Sequence, residues 1–119
     1  MSPATSTPST ESLFRLGLND ALPISDEATT SRVVVNNDIL RTVIFTFDAG
    51  QALTEHASPR AVVVTLLEGE MDFALGERNE RMSAGDVIYL APGERHALTA
   101  VTPCRMQLVM VDVNEAATK

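Results

Sequence analysis

His56 and His96 are the only histidines in this chain of 119 residues. Imidazole titrates near neutral pH, and its neutral form offers a lone pair to a metal ion or a proton donor. Two such groups brought together support three kinds of chemistry: holding a divalent ion, acid–base work, or orienting a bound molecule by hydrogen bonds. His56 closes the segment GQALTEH that starts at Gly50, and His96 closes GDVIYLAPGERH, which starts at Gly85. Ser58 follows His56 by two positions, and the period of a regular strand puts both on one face. Glu55 should then face the other way. Tyr89, the single tyrosine, precedes His96 and has a hydroxyl to donate to a ligand.

Two imidazoles fall short of the three protein ligands of a catalytic zinc, and of the two histidines and carboxylate of a non-haem iron site. Gln51, Tyr89 and Gln107 are available to complete such a set, but their placement is a matter for the fold. Met71, Met82, Met106 and Met110 sit at strand spacing and read as core filler. Arg60 and Arg105 read as solvated arginines, with carboxylate binding the minority alternative. Cys104 reads as a half-buried strand thiol rather than a nucleophile. Ser58 has no triad partners in order, and no phosphate-binding or dinucleotide fingerprint is present.

The elements that must carry these residues are strands. Residues 32–35, 40–47 and 61–67 are β-branched or nearly all apolar. Residues 71–75 alternate with period two, and residues 86–90, 95–101 and 105–113 supply further strands. Asn36-Asn37-Asp38, Asp48-Ala49-Gly50 and Gly76-Glu77-Arg78-Asn79 are turn signals. About eight short strands with a turn roughly every 8–12 residues predict an all-β sandwich or barrel. Residues 13–22 predict a short turn or helix with Phe14, Leu16 and Leu18 available to dock, and residues 23–31 a loop. Residues 1–12, rich in Ser, Thr and Pro, predict a disordered tail, with a second tail at 114–119.

Composition narrows the function. Nine Lys and Arg against 16 Asp and Glu leave a formal net charge of −7, and the cations are scattered. A phosphate backbone calls for a cationic stripe, so nucleic acid is not an expected partner. No apolar run is long enough to span a bilayer, so no membrane association is expected. With one cysteine and no basic-then-apolar start, a cytoplasmic location is the expectation.

The two histidine segments, with LLEGE at 66–70 and AGDVIYLAPGERHAL at 84–98, resemble the two signature motifs of the cupin superfamily. Gly50, His56 and Gly69 match the first motif, while Ser58 stands at its second histidine and Val62 at its glutamate. Gly85, Gly93 and His96 match the second motif. Its proline is displaced from Ala91 to Pro92, and its asparagine position is Ala100. The intact spacing from Gly93 to His96 predicts an unaltered loop.

The resemblance implies a small single-domain cupin. That is a double-stranded β-helix, or jelly roll, of two antiparallel sheets around one pocket, with the barrel at 40–113 and an N-terminal segment with the first strand at 13–39. It also implies a homodimer. On this reading His56, His96, Ser58, Val62 and Tyr89 bind a small molecule, with Val64, Leu66 and Leu98 as apolar walls. His56 and His96 would form an incomplete site for one divalent transition metal: zinc, nickel, iron or manganese. The alternative is a metal-dependent enzyme of the dioxygenase, isomerase or decarboxylase type, and whether the chain is an enzyme stays open.

Overall fold

The β-branched and aromatic runs become strands. In the computed structural model, which describes residues 6–113, β1 (Thr29–Asn36) and β2 (Leu40–Phe47) form an antiparallel hairpin. The Asn37 side chain closes its turn, accepting from the backbone N–H groups of Ile39 and Leu40 at 2.9 and 3.1 Å, as short polar side chains do where no strand partner exists. Then come β3 (Ala52–His56), β4 (Ala61–Glu68), β5 (Glu70–Leu75), β6 (Arg78–Ser83), β7 (Val87–Leu90), β8 (His96–Ala100) and β9 (Cys104–Val111).

All the strand pairs are antiparallel and fall into two sheets, ordered β1-β2-β9-β4-β7 and β3-β8-β5-β6. This is the all-β, two-sheet jelly-roll architecture expected. The sheets do not close into a sealed barrel, because β6 and β7 each end a sheet. Among the described residues, no helix is long and apolar enough to cross a membrane.

Several elements depart from the expectation. Arg78 and Asn79 open β6 rather than completing a turn. RNERMS has one apolar residue, Met82, so it shows no hydrophobic alternation, and its charges suit an edge strand that must not recruit another. β1 starts at Thr29, inside the expected loop. The helix is a single turn, α1 (Leu18–Ala21). Leu18 and Leu22 dock on Val34 and Ile44, whereas Phe14 and Leu16 stay exposed. Within the expected tail, the Thr7 N–H donates to the Asn36 carbonyl at 2.9 Å. Residues 1–5, and the C-terminal tail at 114–119, lie outside the described residues.

The core is solid at one end and hollow at the other. Phe47, Leu66, Met71, Met82, Ala100 and Cys104 pack the solid end with almost no exposure, and Met106, equally buried, reaches the hollow end. Three of the four methionines read as core filler are therefore buried, and Met110 packs against the same cluster. Gly69 joins β4 to β5 with φ +87°, and a Cβ there would stand 2.2 Å from the Pro103 carbonyl oxygen. Both the turn and the close approach demand glycine. The outer face of β2 and β9 is covered by the N-terminal segment, and this buries Arg105 (5% exposed). Its guanidinium donates to the Leu22 carbonyl at 2.8 Å and to Glu68 at 3.1 Å. The solvated reading of Arg105 is thus corrected: the charge sits under the N-terminal segment and spends its donors on structure.

Candidate functional site

β3 delivers His56 and β8 delivers His96, as direct partners in the antiparallel ladder. Leu53 pairs with Leu98 and His56 with His96, so three steps on β3 match two on β8. The extra residue is a β-bulge, which lets residues of opposite parity share a face. A regular strand would put Glu55, not His56, on the face of Leu53. With the bulge, Leu53 and His56 both line the cavity, and Glu55 pairs with Arg95 on the exposed side at 2.8 Å.

The imidazole rings lie 4.2 Å apart, centroid to centroid, at an interplanar angle of 60°. His96 is 8% exposed, whereas His56 sits at the rim and is exposed. Phe73 on β5 stacks nearly parallel to the His96 ring at 5.9 Å.

Each ring is held by its own chain. His56 Nδ1 lies 2.8 Å from the Thr54 carbonyl oxygen, and His96 Nδ1 lies 3.0 Å from that of Glu94. A carbonyl oxygen only accepts, so both Nδ1 atoms carry the proton. In the neutral rings Nε2 is then the lone-pair nitrogen. Burial pushes the His96 imidazole below its ordinary value of 6.5; the Glu94 carbonyl opposes this and the neighbouring His56 adds to it.

The two rings open on a cavity of about 210 Å³ at the hollow end. Its walls are apolar, with Val62, Val64, Leu90, Leu98, Met106 and Phe73 among them. Ser58 lines it too, and its oxygen accepts from the Arg60 N–H at 3.1 Å. The displaced Pro92 leaves the presenting loop tied down, with the Gly93 N–H donating to the Ser58 carbonyl at 2.7 Å.

Of the five residues read as ligand-binding, four share this cavity: His56, Ser58, Val62 and His96. Tyr89 does not, and this is a correction. Leu90 points into the cavity, so alternation turns Tyr89 to the outer face, opposite Val63 and 62% exposed. Val64 and Leu98 are walls, but Leu66 belongs to the solid end. Leu53, Phe73 and Met106 went unrecognised as lining. The alternation of Met71, Phe73 and Leu75 was the available signal for Phe73.

Gln51 and Gln107 do not line the cavity. Among the described residues no group of three or more His, Cys, Asp or Glu side chains converges as a metal-holding set. The donors in the cavity, two imidazoles with Val62 where a carboxylate would stand, do not by themselves fit a metal centre.

A second, larger cavity of about 370 Å³ opens at the seam between β6 and β7. Arg78, Glu80, Arg81 and Asp86 line it, and Phe73 is the wall it shares with the histidine cavity.

Known proteins share this architecture. A conserved protein of unknown function from Streptococcus pyogenes is 30% identical, with a TM-score of 0.78 over 96% of this chain and 97% of that one. A cupin superfamily protein from Desulfitobacterium hafniense is 16% identical, with a TM-score of 0.77 over 87% and 94%. An RmlC-like cupin protein from Desulfovibrio desulfuricans is 24% identical, with a TM-score of 0.75 over 84% and 97%. No curated protein matches the chain. The cupin-domain family profile matches residues 43–112, well over half of the sequence, and the chain belongs to the cupin family.

Proposed function

We propose that this cupin binds a small molecule in the cavity at its hollow end, with His56 and His96 as the groups that orient it. The observation that carries this reading is the convergence of two imidazoles, 4.2 Å apart, on a cavity of about 210 Å³ whose remaining lining is almost wholly apolar. An apolar concavity with a few convergent polar groups is the usual form of a ligand site. A thermal-shift screen of small organic molecules tests it. A ligand present at about 100 times its Kd stabilises the fold by about 2.7 kcal/mol. The stabilisation should shrink or vanish in His56→Ala and His96→Ala. Hits that persist unchanged in both variants would refute a role for the imidazoles.

One observation favours a second reading, a metal-dependent enzyme of the dioxygenase, isomerase or decarboxylase type. Both Nδ1 atoms donate to carbonyls, so both Nε2 lone pairs are left for an ion. Two protein nitrogens are an incomplete set, and a zinc, nickel, iron or manganese ion would take its other ligands from water or the bound molecule. Elemental analysis of dialysed protein separates the readings. Near one equivalent of metal in the parent, lost in both alanine variants, favours the enzyme. Binding of organic ligands by metal-free protein favours the first reading.

A further inference from the structure

We infer that the histidine cavity selects a neutral molecule of about one aromatic ring that carries a hydroxyl group, phenol being the simplest member of the class. The inference rests on the cavity being a ligand site, and adds what the ligand must be. Three observations combine.

The first is charge. No Asp, Glu, Lys or Arg lines this cavity. A buried charge without a partner is strongly disfavoured, so a carboxylate, a phosphate or an ammonium finds nothing there to offset its lost hydration. The charged side chains Arg78, Glu80, Arg81 and Asp86 line the separate seam cavity, on the far side of Phe73.

The second is the hydrogen-bond inventory. With both Nδ1 protons given to the carbonyls of Thr54 and Glu94, Nε2 is the nitrogen each ring has left for the ligand, and in a neutral ring it is an acceptor. A ligand must therefore bring a proton. Ser58 complements this: its oxygen accepts from the Arg60 N–H, and its own hydroxyl proton remains to be donated. A hydroxyl does both through one oxygen, donating its proton to an imidazole and accepting from Ser58.

The third is size. An apolar cavity of about 150 Å³ accommodates benzene, while drug-sized ligands occupy about 300–1,000 Å³. A volume of about 210 Å³ lies between, at one ring with small substituents.

The test uses the full chain and three probes of one size: phenol, toluene and benzoate, titrated at pH 7.5 while the imidazole nitrogen signals are followed by NMR. Phenol is expected to bind about tenfold or more tighter than toluene, the value of one net hydrogen bond at about 1.4 kcal/mol, and to move the signals of both histidines. Benzoate should leave those signals in place. His96→Leu should erase the preference for phenol while toluene still enters. His56→Leu, at an exposed position where folding is not at stake, should weaken that preference. Toluene binding as tightly as phenol, or benzoate moving the imidazole signals at phenol-like concentrations, would overturn the ligand class and leave the cavity reading standing. If none of the probes enters, the cavity reading itself fails and this inference with it.

Discussion

Replacing Arg105 by Met tests whether the buried guanidinium holds the N-terminal segment to the sheet. The side chain is 6% exposed, and its partner Glu68 is 48% exposed. Removing the arginine orphans the Leu22 carbonyl, now bonded at 2.8 Å. A hydrogen bond to a charged donor contributes about 1.5–3 kcal/mol, and an unsatisfied buried acceptor is of similar cost. The Glu68 contact adds at most about 1 kcal/mol, because a half-exposed carboxylate regains water. Methionine keeps most of the apolar packing. The expected loss is therefore about 3 kcal/mol. At about 4 °C per kcal/mol for a domain of this size, Tm should fall by about 12 °C.

Arg60→Met is the matched control. Its ion pair with Asp112 lies at the surface, with side chains 29% and 51% exposed, and it should cost less than about 1 kcal/mol. Calorimetry measures both, and hydrogen exchange should show faster opening in residues 18–22 of the Arg105 variant. Arg105 faces away from the histidine cavity, so the imidazole signals should not move. A Tm drop below about 3 °C, or one equal to that of Arg60→Met, would refute the reasoning.

Gly69→Ala forces a Cβ against the Pro103 carbonyl at positive φ, and should cost more than about 3 kcal/mol in urea unfolding, whereas Gly76→Ala, with open space around it, should cost about 1–2 kcal/mol of backbone strain. Phe73→Ala removes the wall between the two cavities; it should lose about 3–5 kcal/mol and admit a two-ring naphthol that the parent excludes, which a thermal-shift comparison checks. Because His96 is held below 6.5 in the fold, the unfolded chain takes up its proton first as pH falls. The stability from this group is full above about pH 6.5 and is lost as pH drops toward the folded value; urea midpoints from pH 8 to 5 should show that decline, reduced in His96→Leu. The Cys104 thiol is pushed up by burial, so its reaction with a disulfide reagent should wait on unfolding; a fast native-state reaction would contradict its placement.

Much of the fold was legible in local sequence. β-branched runs marked β2 and β4, Asn36-Asn37-Asp38 marked the first hairpin, and the glycines of the two motifs marked turns that take positive φ. Those signals depend on neighbours in the chain. β6 escaped because an edge strand carries its charges where a central strand carries apolar residues, and RNERMS looks like a loop until β5 pairs with it.

At the site, sequence identified the two histidines, Ser58 and Val62, because their types and spacing are written in the chain. It could not determine direction. Whether Glu55 or His56 enters the cavity depends on one extra residue in β3, and that bulge exists only in register with β8. Tyr89 faces outward because its neighbour Leu90 faces in, a parity settled by which side of the sheet meets the other sheet. Arg105 is buried because Leu22, 83 positions away in sequence, folds over it. Local sequence determined which strands and turns form and which side chains have the chemistry to serve a site. Strand register and sheet packing, which arise from contacts distant in sequence, decided which of those side chains face the cavity, which face water, and which hold the structure together.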